Sequence, residues 1–504
     1  MPFNESNEMY RMTLKLKNKH MKNKIKYWIG LPVLLLCSCN NFLDLDTFQN
    51  IPAEDAYNTV EDVQNGLNGM YYALGYYYFY GRNVVALGDM AADNAVASSS
   101  TGHFLSINRY NFSDTDENLD YIWQGGYQVI DRATRTIRGA KSLLTISREM
   151  HLTEKEAASL QSYISQCYAL RALAEHVLVN VFALPYRAGE ANSQLGIVLM
   201  DNDPIEPFTQ VERSSVAQTY EQILRDIEEA GRWYTYVDNY NQNNEDDLIL
   251  LDQFYMNRAA IYALEARVNL FMQNYERAIV AADSAVILRD ASPVSNETYL
   301  KMWSSTAISD EDILTISKSE NDNLSANSLN NLYGSYRASL TDTVVKLFAA
   351  TDIRLRLIDT RTLHPRKFDG IPTSQAVNNV PVFRVSEMML IQAEAYARLG
   401  NVSRSQEALL YTAKRNTAIE TVGDLPSTAE GLLAFIVNER RREFFEEGFR
   451  WFDARRTGEL ISVSNGNYTD FDVAAFVYPI PSSEINSGFG VTQNPGWENT
   501  LPKN

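Results

Sequence analysis

The chain has 504 residues, 45% of them hydrophobic and 21% charged, with a formal net charge of -18. This is the composition of a globular body with a large core, and a field of this sign repels phosphate backbones, which argues against a nucleic-acid partner. There are 29 Tyr, an amphipathic residue that suits binding surfaces as well as cores.

Residues 21–39 start basic with Lys22, Lys24 and Lys26, continue through a short apolar run, and end in Leu36-Cys37-Ser38-Cys39. That is the layout of a secretory signal, too short for an ordinary membrane span. Its end resembles a bacterial lipobox, which implies cleavage before Cys39 and acylation of that cysteine. Met21 is then the expected start, and residues 1–20 an over-long reading of the gene. With Cys37 and Cys39 in the leader, Cys167 is the one thiol left to the body, so no internal disulfide framework is expected. Cys167 lies in an apolar helical run and reads as core. The His at 20, 103, 151, 176 and 364 show no metal-ligand spacing, and His176, among Leu and Val, reads as a satisfied structural histidine. No later stretch is long and apolar enough to cross a bilayer.

Residues 40–44 read as a tether. Val60, Val63, Leu67, Met70 and Tyr71 recur at helical spacing and predict a helix within 51–75. Six Tyr fall within residues 71–80, Tyr77 and Tyr80 among them; they suit a stacking platform or, at helical spacing, a core stripe. The polar stretch from Ala95 to Phe104 reads as a loop. Helices are predicted over 117–147, 154–183 and about 213–233, with Ser214 or Ser215 capping the last. A helix–turn–helix pattern occurs around Ala263–Ala282 and again around Gln392–Leu410, with small residues where helices meet. These pairs resemble tetratricopeptide units. Between them, Glu311–Ile316 ends in a short strand pattern, Trp303 reads as core before ligand platform, and the Ser- and Asn-rich residues 318–338 read as a surface loop carrying Tyr333 and Tyr336.

A charged segment closes the pattern. Leu433, Ile436, Val437 and Phe444 share a helix face, Gly448 can take the left-handed conformation that stops the helix, and Arg and Glu at three- and four-residue spacing can pair along the surface. Glu439, Arg440, Arg441, Glu443, Glu447, Gly448, Arg450, Trp451, Asp453 and Arg456 fit a Glu-Arg-Arg-x-Glu-Leu-x-x-Glu-Gly-x-Arg-Trp-x-Asp-Leu-x-Arg run, with Phe444 and Ala454 in the Leu positions. This run resembles the C-terminal signature of the SusD/RagB family of nutrient-capturing surface lipoproteins. Tyr478–Asn486 and Gln493–Trp497 match that family's ending.

The resemblance implies a mostly α fold: a tetratricopeptide-like helical repeat scaffold with long loop insertions and a few short strands. It implies a leader over 1–38, an N-terminal part over 39–235 and a C-terminal part over 250–504, the two parts packed as one body. It also implies a protein lipid-anchored through Cys39 to the outer membrane and facing the exterior. Such a protein binds oligosaccharides or polysaccharides and passes them to a SusC-like TonB-dependent transporter, without catalysis, cofactor or metal. Gly88–Asn94 resembles the segment leading into the family's ligand loop, so Asp93, Asn94, His103 and Phe104 are candidate ligand-binding residues, together with Tyr77, Tyr80, Tyr333 and Tyr336. The loop has no Trp, a departure from the starch-binding members. Peptides captured on the same scaffold are the alternative cargo. A glycoside hydrolase needs two placed carboxylates and a cleft, and an adjacent pair such as Glu446-Glu447 is expected by chance among 63 acidic residues.

Overall fold

The long helices begin where side chains can satisfy the first free N–H groups. Thr59 with Asp62, Thr153 with Glu156 and Ser215 with Gln218 form reciprocal capping boxes, and Asp116 and Asn257 cap alone. The structure is a computed structural model that describes residues 56–503 apart from 208 and 291; the leader, Cys37, Cys39 and the expected tether lie outside the described residues.

The principal helices are α1 (Val60–Gly75), α2 (Asn83–Met90), α3 (Glu117–Thr145), α4 (Glu154–Phe182), α5 (Val216–Asn243), α6 (Arg258–Phe271), α7 (Tyr275–Arg289), α8 (Val385–Arg398), α9 (Val402–Ala413), α10 (Ala429–Phe444) and α11 (Arg450–Thr457). Strands come as two-stranded antiparallel ladders. Those that position the site are β1 (Ala95–Val96) with β3 (Ser339–Leu340), and β2 (Asp312–Ile316) with β4 (Val380–Arg384). The fold is mostly helical, as expected. α6 with α7, and α8 with α9, are the two helix–turn–helix pairs read from the sequence, and α7 and α8 pack on each other.

α4 is buried almost all round, which is why its apolar residues show no stripe, and Cys167 lies fully inside it. α5 runs ten residues past the expected end near 233, because Tyr234 and Val237 continue its buried face. Trp303 is buried in the core, as read. His176 is buried too, but its Nε2 has no hydrogen-bond partner, so it is not the satisfied histidine expected. Residues Tyr57–Asn504 form one compact unit.

The charged segment was expected to pair along the surface. It lies inside instead. Glu443 receives Arg384 at 3.0 Å, Arg415 at 3.1 Å and Arg354 at 3.0 Å, and Glu447 receives Arg384 at 2.8 Å and Lys367 at 2.6 Å. Burial alone would raise the Glu443 carboxyl, but Arg415, Arg384 and Arg354 hold it well below the usual range. The Arg partners come from segments far away in sequence, so helical spacing could not reveal them. Farther along, Arg456 grips Glu394 at 2.7 Å, and Arg455 donates to the carbonyls of Ala183 at 2.6 Å and Phe476 at 2.8 Å.

Gly448 has φ +79°, and a Cβ there would lie 2.6 Å from Val85 Cα. A Cβ on Gly88 would lie 1.8 Å from the Gly448 carbonyl oxygen. The turn after α10 and helix α2 therefore meet backbone to backbone. This contact fixes the segment that leads into the loop from Ala95 to Phe104.

Candidate functional site

Two loops distant in sequence are tied together. β1 pairs with β3 through Ala95 with Leu340 and Val96 with Ser339. Thr101 Oγ1 donates to the Tyr336 carbonyl at 2.8 Å. The His103 ring then stacks on Tyr336, with centroids 3.7 Å and planes 22° apart.

Arg82 joins this pair to a second aromatic group. Its guanidinium carbon lies 4.9 Å from the Tyr77 ring centroid and 5.6 Å from that of Phe104. Nε donates to Asn83 at 2.8 Å and Nη1 to Asn327 at 3.1 Å. Tyr77 packs on Tyr76 at 4.6 Å and on Tyr78 at 4.7 Å, and Tyr78 lies flat on Tyr121 at 4.0 Å with planes 12° apart. The Tyr121 hydroxyl donates to Glu117, which raises it above the usual phenol value.

Tyr76, Tyr77, Tyr78, Tyr121, His103 and Tyr336 all stay partly exposed. Burial lowers Arg82 from the ordinary guanidinium value, opposed by the phenols of Tyr77, Tyr336 and Tyr121. Burial, and then the Arg82 charge, push His103 below the ordinary imidazole value, so the ring is neutral at pH 7 and offers one donor and one acceptor. Chemically, this is a set of open ring faces beside a guanidinium, an amide, a carboxylate and several hydroxyls. Ring faces take the apolar side of a flat guest, and the polar groups take its hydroxyls.

Of the residues expected here, Tyr77, His103 and Tyr336 come together. Four others are interior. Tyr80 is buried with its hydroxyl 3.4 Å from Arg267. Asn94 is buried and donates to Asp89 at 3.1 Å. Phe104 is buried beside Arg82. Tyr333 is only 2% exposed, and its hydroxyl has no hydrogen-bond partner. The reason is local: Ser328 caps a short helix, Leu329–Tyr333, whose Leu329, Leu332 and Tyr333 all turn inward, so residues 318–338 are not surface throughout. Asp93 is half-buried and committed to Arg450 at 2.6 Å and Arg441 at 3.0 Å. These residues hold the loop in place.

Arg82, Tyr121 and Asn327 were not anticipated, and Tyr78 only as one of the six Tyr of residues 71–80. Arg82 had a readable signal: it is the one charge directly after the Tyr run. Asn327 had none, because its role depends on a loop folding back. The Glu446-Glu447 pair is interior: Glu447 is ion-paired, and burial raises the Glu446 carboxyl well above its usual value. Among the described residues, no group of three or more His, Cys, Asp or Glu is placed to hold a metal ion.

Two family models match the chain. "SusD family" covers residues 360–497, and "Starch-binding associating with outer membrane" covers residues 41–270. A SusD-like protein of Formosa agariphila is 22% identical over 88% of this chain and 93% of its own length. The starch-binding protein SusD of Bacteroides thetaiotaomicron is 30% identical over 26% of this chain and 24% of its own. A crystal structure described as a putative sugar binding protein, from Bacteroides vulgatus, superposes with a TM-score of 0.74 at 22% identity, covering 88% of this chain and 99% of that one.

Proposed function

Because the chain belongs to the SusD family, starch- and glycan-binding proteins associated with the outer membrane, we propose that it is a cell-surface lipoprotein that captures oligosaccharides or polysaccharides and hands them to a SusC-like TonB-dependent transporter. The observation that carries this reading is the open aromatic set around Arg82. Tyr77, Tyr336 and His103 offer ring faces, while Arg82, Asn327 and Glu117 offer polar partners beside them. A pyranose has an apolar face and a hydroxyl rim, and needs both kinds of group at once. No bond need be broken, and the site holds no pair of free carboxylates flanking a cleft.

In this reading Cys39 carries the lipid and the acidic body stays off an anionic leaflet. The N-terminal part over 39–235 and the C-terminal part over 250–504 act as one scaffold, and the loops between helices carry the ligand site.

The test has two arms. Cells expressing the whole chain are labelled with a clickable palmitate and shaved with protease: label on wild type, none on Cys39→Ala, and loss of the protein from intact cells support a surface lipoprotein. The body from Asn40 onward is run through native gels containing a panel of polysaccharides, and each mixture is checked for released sugars. Retardation without product supports capture. Released product would make the protein a hydrolase, and binding only to peptide mixtures would make peptides the cargo.

A further inference from the structure

The aromatic set does not end at Tyr76. Tyr72, the most exposed large aromatic of the described chain at 59%, stacks on Tyr76 with centroids 5.5 Å and planes 29° apart. From Tyr121 the rings step to Tyr78 at 4.0 Å, to Tyr76 at 5.1 Å and to Tyr72 at 5.5 Å. Tyr72 is also one wall of a separate cleft of about 260 Å³, close to the lower end of small-ligand sites at roughly 300 Å³. Tyr255, itself 40% exposed, also lines it.

This cleft is held in shape from behind. The Tyr71 hydroxyl donates to Gln166 at 2.8 Å and accepts from the Met256 N–H at 2.7 Å, while its ring meets Tyr255 edge-on at 5.6 Å. Gly75 lets β2 close in: a Cβ there would fall 2.7 Å from Ile316 Cγ2. Tyr255 and the β2 side of the cleft are therefore held in place, while the polar tips around it are unused. Among the described residues, the hydroxyls of Tyr72 and Tyr255 and the amide of Asn68 make no hydrogen bond with the protein. Lys318 lines the cleft with its side chain 7% exposed, and its ammonium has a single partner, Asp322 at 3.4 Å. An ammonium has three donors, so two are left for a guest.

We propose that the Tyr72–Tyr255 cleft is a second glycan subsite, which takes further sugar units of the same chain that lies on Tyr77, Tyr336 and His103. This rests on the glycan reading above. The unbroken row of rings leading out of the cleft identifies the occupant as a continuation of that chain. Two exposed ring walls with unused hydroxyls, an amide and an ammonium are the groups a hydroxylated ring needs. The consequence is length selection: chains long enough to span both places bind more tightly than short ones.

The experiment is calorimetry with size-graded malto-, cello-, xylo- and manno-oligosaccharides against wild type, Tyr72→Ala, Tyr255→Ala and Tyr336→Ala. For whichever series binds, wild-type affinity should rise from trisaccharide to octasaccharide. Tyr72→Ala should keep trisaccharide binding and lose about five- to tenfold on the octasaccharide, the scale of one ring contact. Tyr336→Ala should weaken every length. Tyr72 is exposed enough for the fold to survive its truncation, so the result does not depend on Tyr255→Ala folding. Octasaccharide binding unchanged in Tyr72→Ala overturns the second subsite while leaving the first intact. Wild type that binds no series, and no polysaccharide, overturns the glycan reading and the subsite with it.

Discussion

His103 and Tyr336 stack ring on ring at 3.7 Å, although one belongs to the loop after β1 and the other to the loop before β3. The contact exists because two short strands and the Thr101 hydrogen bond lock the loops together. Truncating Tyr336 removes an exposed face and frees the His103 ring. Tyr336→Ala should therefore weaken glycan binding about five- to tenfold with little change in stability. Binding calorimetry beside thermal melts checks both parts.

The Gly88–Gly448 crossing has no room for a methyl group. Gly448→Ala adds a left-handed conformation, unfavourable for any other residue, to a clash with Val85. It should cost about 3 kcal/mol or more. Gly88→Ala should be comparable, since its Cβ would enter the Gly448 carbonyl. Urea unfolding measures both, and a loss below about 1 kcal/mol would show that the two backbones separate easily.

The interior ion network predicts a contrast. Glu443→Gln leaves Arg384, Arg415 and Arg354 short of a shared carboxylate inside the protein and should destabilise by about 3–5 kcal/mol. Glu407→Gln removes an exposed partner of Arg404 and should change stability by less than about 0.5 kcal/mol. Chemical denaturation of the two variants side by side tests this.

Acid sensitivity should depend on His176. Burial, and then Arg267, push its folded value down to about 3, whereas the unfolded chain titrates near the ordinary imidazole value of about 6.5. Above that pH neither state is protonated, and the contribution to stability is complete. As pH falls from about 6.5 towards 3, the unfolded chain takes up a proton that the folded one refuses, and stability drops by up to about 1.4 kcal/mol per pH unit. His176→Phe keeps an aromatic ring against Phe271 and should lose about 1.6 kcal/mol less than wild type between pH 6.5 and pH 5. Urea midpoints at the two pH values read the difference.

Helix existence and the two repeat pairs were legible because apolar periodicity and a cap such as Ser215 are local signals. The limits of α5 were not, since burial of Tyr234 and Val237 depends on what packs there. At the site, His103 and Tyr336 were legible as rings in polar loops, whereas the Tyr run holding Tyr77 suited a platform or a core stripe equally. Tyr333 was misplaced because a five-residue helix inside a Ser- and Asn-rich stretch leaves almost no periodic trace. The charged signature was read as surface because its partners Arg354, Arg384 and Arg415 come from other segments. Arg82 and Asn327 meet only once two loops fold over each other.

The rings around Arg82 are the proposed sugar platform. Its most direct test is the affinity of the purified body, in native gels and by calorimetry, for a broad panel of polysaccharides, with Tyr77→Ala and Tyr336→Ala run alongside. At least one polysaccharide should bind wild type without being cleaved, and both variants should bind it several-fold more weakly while melting normally. Binding that is unchanged in both variants, or wild type that binds no polysaccharide at all, would contradict this reading.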